Sequence, residues 1–176
     1  MTEKSEVIDV ESAVVDVQAK SLFDRVGDYL TEKDWNFSSY AEKNYFSLGL
    51  TLRDGNVRVV VDVAEVTGWS RLLVYATYHT FVPDQRRLAV AEALTRINYS
   101  SLFGSMEMDM KDGEVRVRTV LEDEGFIGEK MIDRALRRAL DLADQYQAAL
   151  LAIAFGNAPA KDVLEMAARD DGATLQ

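Results

Sequence analysis

The chain has few side chains that could carry out catalysis. It contains no cysteine and a single histidine, His79, within 176 residues. Without cysteine there is no thiolate nucleophile, no disulfide and no sulfur-ligated zinc. A catalytic histidine normally has an orienting acid and a nucleophile beside it, and no spacing in the sequence assembles such a triad around His79. A structural or surface role for His79 is therefore favoured over catalysis or metal binding.

Two carboxylates, Glu107 and Asp109, lie on one side of a predicted strand and could form an acid–base pair. Such pairs hydrolyse glycosides only in a pocket that raises the pKa of one partner. A turn at residues 112–113 sets Arg118 opposite Glu107. It also sets Arg116 opposite Asp109. Opposite charges across a hairpin favour structural ion pairs, so we predict no catalytic role for either carboxylate.

Patterns that bind cofactors are missing from the sequence. The Asp-Gly pairs at residues 54–55 and 112–113 are hairpin turns, and no glycine pattern for phosphate or dinucleotide binding occurs. A basic patch within residues 130–138 could receive phosphate groups or an acidic partner, but interspersed acids dilute it. We expect no cofactor, no metal and no enzymatic activity.

The overall charge bears on possible partners. There are 30 acidic and 20 basic side chains, a formal net charge of −10. Such a field repels nucleic-acid phosphates and anionic lipid, which argues against direct nucleic-acid binding and against a membrane-surface role. The N-terminus is polar and acidic, without the apolar core of a secretory signal, and no apolar run approaches the roughly 20 residues that cross a bilayer. We therefore expect a cytoplasmic protein.

The first half of the chain predicts a helix followed by three strands. Apolar residues within 22–30 recur at steps of three and four, as on one face of a helix. From Trp35 the period changes to two, with alternating apolar residues in 46–52, 57–63 and 72–81. Turn residues at 54–56 and 67–70 separate these segments, which predicts a three-stranded antiparallel meander.

The second half predicts a helix, a hairpin and a long helix. The helix opens at Pro83-Asp84 and ends near Asn98, with an apolar stripe of Leu88, Ala91, Leu94 and Ile97. A hairpin over residues 105–121 precedes a helix over residues 129–155, and another helical stretch is predicted at 161–169. The long helix would measure about 40 Å, more than a small domain easily covers, so we expect part of it to pack on a second subunit.

One face of the meander forms the candidate interface. If both turns keep simple pairing, the leucine and valine rows lie on one face with Val74, Ala76 and Tyr78. A bulge in either turn would exchange the two faces. The opposite face is too apolar to lie plainly in solvent, and we predict that it contacts a partner or a second copy. Its residues are Val60, Leu73, Tyr75, Thr77, His79 and Phe81.

Three motifs follow one another in the second half. An asparagine ends the helix in residues 94–99, a glycine opens the strand in residues 104–109, and an acidic-glycine turn precedes alternating valine and arginine in residues 112–118. Together with Trp35 after the first helix, these motifs resemble the YbjN family of bacterial proteins. The resemblance covers roughly residues 20–157. The motif residues look like caps, turns and strand pairs, so none carries over as a functional residue.

The resemblance implies an α+β fold similar to the small acidic chaperones of type III secretion, which are commonly dimers. Its order is helix, three-stranded antiparallel meander, helix, β-hairpin and long C-terminal helix. We expect a polar N-terminal extension (1–17), a YbjN-like domain (18–157) and a partly helical C-terminal extension (158–176).

The expected function is that of a non-enzymatic protein-binding module. It would be chaperone-like, or an adaptor or regulator of a bacterial pathway such as a stress response, and would act as a homodimer. The alternative is a sensory regulator that responds to a small ligand. The sequence identifies neither the client or ligand nor the surface that dimerises.

Overall fold

The computed structural model describes residues 20–173, and the side chains of residues 20–168. This part of the chain is α+β, with an antiparallel six-stranded sheet and α-helices packed on one of its faces. The predicted fold class is confirmed at this level. The extension expected at residues 1–17 lies outside the described residues.

The sheet is ordered β1-β2-β3-β4-β6-β5, and all neighbouring strands are antiparallel. The strands are β1 (Phe37–Tyr40), β2 (Tyr45–Leu52), β3 (Gly55–Val66), β4 (Trp69–Phe81), β5 (Ser105–Met108) and β6 (Glu114–Asp123). The helices are α1 (Leu22–Glu32), α2 (Arg87–Ser100), α3 (Glu129–Phe155) and α4 (Val163–Ala173). The predicted meander is β2–β4, to which β1 adds an edge strand that the periodicity did not reveal.

The core lies between the sheet and α3. Alternate residues of β3, including Val57, Val59 and Val61, are fully buried. Helix α3 buries side chains along nearly its whole length, from Ile132 to Ala154. Strands β3 and β4 have 12 and 13 residues, about 40 Å each, which matches the length of α3. The expectation that α3 is too long for one domain is therefore wrong, and its length gives no indication of a second subunit.

Helix α2 differs from its prediction in bounds and orientation. It begins after a 3₁₀ turn at Asp84–Arg86 and continues past Asn98 to Ser100. Asn98 does not end the helix, and its side chain instead hydrogen-bonds the main chain of Met106 in β5. Alanines on both sides of α2 made its apolar face hard to place, and Leu88 is 78% exposed. The buried residues are Val90, Ala93, Leu94 and Ile97.

The β5–β6 hairpin pairs two residues away from its predicted register. Glu107 lies opposite Arg116 rather than Arg118. The loop is longer than predicted, and Asp109 belongs to it, accepting a hydrogen bond from the main chain of Gly113. Gly113 has a φ of 85°, and a Cβ there would lie 2.2 Å from a main-chain oxygen. Because the shift is two residues, every side chain stays on its predicted face.

Arg25 joins the start of α1 to one end of the sheet. Its side chain is 7% exposed and donates to Glu65 at 3.0 Å and to the carbonyl of Ile127 at 3.1 Å. It also donates to the carbonyl of Lys20. Glu65, near the end of β3, accepts a further bond of 2.7 Å from the main chain of Leu22. These bonds hold residue 20 beside the β3–β4 turn.

We predict that Arg25→Met lowers the free energy of unfolding by about 2 kcal/mol, because it removes charge-assisted bonds while keeping the aliphatic stem. The matched control is Arg96→Met, whose exposed pair with Glu92 is worth less than about 0.5 kcal/mol. Urea denaturation of both variants measures the difference. Equal losses would contradict the role given to Arg25.

We also predict a loss of stability at high pH from Tyr78. Its hydroxyl is buried and donates to the carbonyl of Ala143 at 2.7 Å, and burial raises its pKa above the ordinary value. The unfolded tyrosine ionises near about pH 10 while the folded one stays neutral, so stability falls as pH rises past that value.

Tyr78→Phe should therefore cost about 1 kcal/mol at neutral pH, from the lost hydrogen bond. Between about pH 9 and about pH 11 the free energy of unfolding of Tyr78→Phe should also decrease less than that of the parent, because the variant has no hydroxyl to ionise at this position. Urea denaturation at both pH values tests this, and parallel losses would show that Tyr78 is not responsible.

Candidate functional site

The face of the sheet opposite the core is not covered by any helix of residues 20–173. Along β4, Leu73 is half-buried while its neighbours Leu72 and Val74 are fully buried. Val120 in β6 is 43% exposed. We call the outward side of the sheet the open face.

The strand register arranges the open face in four rows across the strands. The rows are Ala64, Arg71 and Glu122; then Tyr45, Asp62, Leu73 and Val120; then Ser47, Val60, Tyr75, Arg118 and Ser105; then Gly49, Arg58, Thr77, Arg116 and Glu107. The two middle rows are mainly apolar, and arginines lie on both sides of them.

An apolar stripe runs along the two middle rows, from the β1 edge to β6. At that edge the Tyr40 and Tyr45 rings stack with centroids 4.4 Å apart. The stripe lines a shallow depression in the sheet. We define the apolar stripe as Tyr40, Tyr45, Val60, Leu73, Tyr75 and Val120.

Arginines border the apolar stripe with different degrees of pairing. Arg116 lies over the ring of Tyr75 at 4.2 Å and bonds to Glu107 at 3.0 Å. Glu107 also pairs with Arg118 at 2.9 Å. The remaining arginines, Arg58 and Arg71, are less completely satisfied.

Arg71 pairs with Asp62 at 2.8 Å, but its Nε is buried and has no hydrogen-bond partner among the described residues. Arg58 is exposed and forms no ion pair with another side chain of residues 20–168. The four rows thus carry four arginines and three carboxylates, in a chain whose net charge is −10. The open face offers cationic hydrogen-bond donors beside apolar surface.

The six residues predicted as an interface are divided by the structure. Val60, Leu73 and Tyr75 lie in the apolar stripe, and Thr77 lies in the row beside it but is 6% exposed. The register of β4 with β6 shifts between Thr77 and Phe81, so the other two residues lie at the far end of the strand. These are His79 and Phe81, both exposed. Their role in an interface stays a prediction.

Sequence reasoning missed the arginines and the aromatic edge of this face. Arg58 alternates with buried valines of β3, a signal that would have placed it beside Val60. Arg116 and Arg118 alternate with buried residues of β6 in the same way. Their position next to Tyr75 depends on β6 pairing with β4, which local periodicity cannot give.

The chemistry considered for single residues does not assemble in the structure. Asp109 accepts a bond from the main chain of Lys111 in the hairpin loop, apart from the ion pairs of Glu107. Within residues 20–173, no three histidine or acidic side chains converge as metal ligands. No helix in the same range is long and apolar enough to cross a membrane.

Comparison with known proteins assigns the family. The model of the YbjN family, described as "Putative bacterial sensory transduction regulator", matches residues 22–152. The chain belongs to the YbjN family. The crystal structure of YbjN from E. coli, described as "a putative transcription regulator", has a TM-score of 0.52 at 17% identity, covering 73% of this chain and 93% of that one. Comparison with curated proteins gives no match.

Membership of the YbjN family confirms the resemblance read from the sequence motifs. The similarity to E. coli YbjN shows a shared fold, and a regulatory role is what the family description names. The further likeness to type III secretion chaperones stays a prediction, as do the domain boundaries at residues 18 and 157.

We predict that substitutions at two adjacent residues of β4 have opposite effects on folding, because the two side chains lie on different faces of the sheet. Val74→Asp should abolish folding, because it buries an unpaired charge in the core. Leu73→Asp places the same charge on the open face and should change the free energy of unfolding by less than about 1 kcal/mol. Circular dichroism and urea denaturation measure both. Loss of the fold in Leu73→Asp would mean that the open face is part of the core.

Proposed function

We propose that this YbjN-family protein is a non-enzymatic regulator that binds another protein on the open face of its sheet. The observation that carries the proposal is the apolar stripe between arginines, which no described helix covers. Tyrosine and arginine are the residue types that most often dominate the energy of protein interfaces, and both are concentrated here.

The partner that fits this face is a protein segment in which apolar side chains alternate or mix with acidic ones. Apolar side chains would cover Val60, Leu73 and Tyr75, and carboxylates would pair with the bordering arginines. Arg58 offers a charge without an ion pair among the described side chains, and Arg71 stays partly exposed beside its pair with Asp62. Carboxylates form strong bidentate bonds with guanidinium groups, so an acidic segment supplies the partner that Arg58 lacks.

Catalysis and small-ligand sensing have less support. Of the acids on the open face, Asp62 and Glu107 are engaged by arginines, whereas Glu122 forms no ion pair with a described side chain. The polar groups that line a cavity of about 370 Å³ at the β5–β6 hairpin include Glu107 and Arg116, which are already paired with each other. A small crevice between Tyr78 and Phe155 has a volume of about 30 Å³, space for one or two waters. The depression on the open face has a volume of about 500 Å³, within the roughly 300–1,000 Å³ of small-ligand clefts, but it is shallow and open to solvent, whereas such clefts bury most of the ligand's surface.

Homodimer assembly is part of the proposal only as an alternative occupant of the same face. A second copy would bring its own apolar stripe and its Asp62 and Glu107 carboxylates. Mass measurement of the purified protein, with Leu73→Asp beside it, separates this case from binding of a different protein. A parent dimer that becomes monomeric in Leu73→Asp would identify a second copy as the occupant.

The proposal is tested by capturing a protein from the native host, purifying it and measuring its affinity directly by calorimetry. We expect Tyr75→Asp and the double variant Arg58→Glu/Arg71→Glu each to weaken binding at least about tenfold. The control is Arg96→Glu, an exposed arginine on α2, which should leave binding unchanged. Equal affinity of Tyr75→Asp and the parent would disprove the assignment of the open face.

A further inference from the structure

Residues 1–19 of this chain have the composition that the open face would bind. They contain six β-branched apolar residues and five acids against one lysine. The apolar residues are Val7, Ile8, Val10, Val14, Val15 and Val17. The acids are Glu3, Glu6, Asp9, Glu11 and Asp16. Apolar and acidic side chains are thus mixed in one short segment, complementary to an apolar stripe bordered by arginines.

The described structure begins at one end of the sheet. Residue 20 is held at the β3–β4 end of the sheet, because Arg25 binds the carbonyl of Lys20 and the side chain of Glu65. Glu65 pairs across the strands with Ser70, and the next residue, Arg71, points to the open face. Because side chains alternate along a strand, Glu65 and Ser70 lie on the helical side of the sheet and Arg71 on the other. Residue 20 thus lies at this end of the sheet on its helical side, and a segment that reaches the open face has to pass around the β3–β4 turn.

The segment is long enough to reach the whole face. Nineteen extended residues span up to roughly 60 Å. The sheet measures roughly 40 Å along β4 and roughly 24 Å across its six strands. A tethered segment of this length experiences an effective concentration on the order of millimolar, so contacts with a dissociation constant of about a millimolar would be enough to fill the face in about half of the chains.

We propose that residues 1–19 occupy the open face of their own chain, with their valines on the apolar stripe and their carboxylates beside Arg58 and Arg71. The segment then competes with the partner protein for the open face and so regulates partner binding. This competition, unlike the docking, rests on the proposed function. The docking itself rests on composition, reach and charge. A partner binds only by displacing the segment, which lowers its apparent affinity by the fraction of chains whose face is free.

The absence of cysteine allows a direct test on the full chain. A spin label attached to the Ser12→Cys variant can react at no other residue. Methyl NMR then reports which side chains the label approaches, because their signals broaden. We expect strong broadening of Val60, Leu73 and Val120 on the open face. Leu164 on α4, on the helical side, should be little affected. Broadening that is absent or equal on both sides would overturn the proposal.

Charge variants show whether the arginines hold the segment. Adding Glu11→Lys/Asp16→Lys to the labelled chain should remove most of the broadening at the open face. The matched control, Glu92→Lys/Asp141→Lys, makes the same change of charge on exposed helical residues and should retain it. Equal broadening in the two double variants would overturn the pairing of segment carboxylates with the arginines.

A mixed sample distinguishes docking of the segment on its own chain from docking on a second copy. Spin-labelled chains without isotope are mixed with isotope-labelled chains that carry no spin label. Broadening of Leu73 in this mixture, as strong as in the singly labelled chain, would mean that the segment docks on a second copy and would overturn docking within one chain. We expect the mixture to show none.

Partner affinity distinguishes failure of this inference from failure of the proposed function. If a partner binds, Glu11→Lys/Asp16→Lys should tighten its binding several-fold, because the competitor is released. Unchanged affinity would overturn the competition while leaving the binding function intact. If no partner binds but the broadening is present, the proposed function fails and the docking stands.

Discussion

The packing of α3 along the inner face of the sheet is the contact on which the rest of the structure depends. A 27-residue helix and strands of 12 and 13 residues have nearly equal lengths, so one helix covers the sheet from end to end. Side chains of a strand alternate between the two faces of the sheet, so when one half of them packs against α3 the other half points outward. The apolar stripe and its arginines are the outward set, and their placement follows from the core.

Much of the fold could be predicted because its main elements are long and strongly periodic. The bounds of α3 and the two faces of the meander follow from spacings of three and four or of two. Short or mixed elements gave weaker signals. Strand β1 has four residues, and α2 carries alanine on several sides, so neither had a distinct pattern. The β5–β6 register depended on the length of a loop, which Gly113 permits but does not specify.

The candidate site was predictable only in part, for a related reason. Val60, Leu73 and Tyr75 share a face within one meander, so local alternation was sufficient to group them. Arg116 and Arg118 join them because β6 pairs with β4, a contact between segments about 40 residues apart. Tyr40 joins through an edge strand that sequence reasoning missed. The chemistry of the face, apolar surface bordered by cations, therefore became visible only in the tertiary structure.

The charge of the whole chain and that of the open face act over different distances. A net charge of −10 repels an acidic partner during approach, yet screening confines exposed charges to about 8 Å at physiological ionic strength. Within that range the open face carries four arginines against three carboxylates, a small local excess of positive charge. Association should thus be slow while the bound state is held by local contacts, the opposite of an electrostatically steered pair.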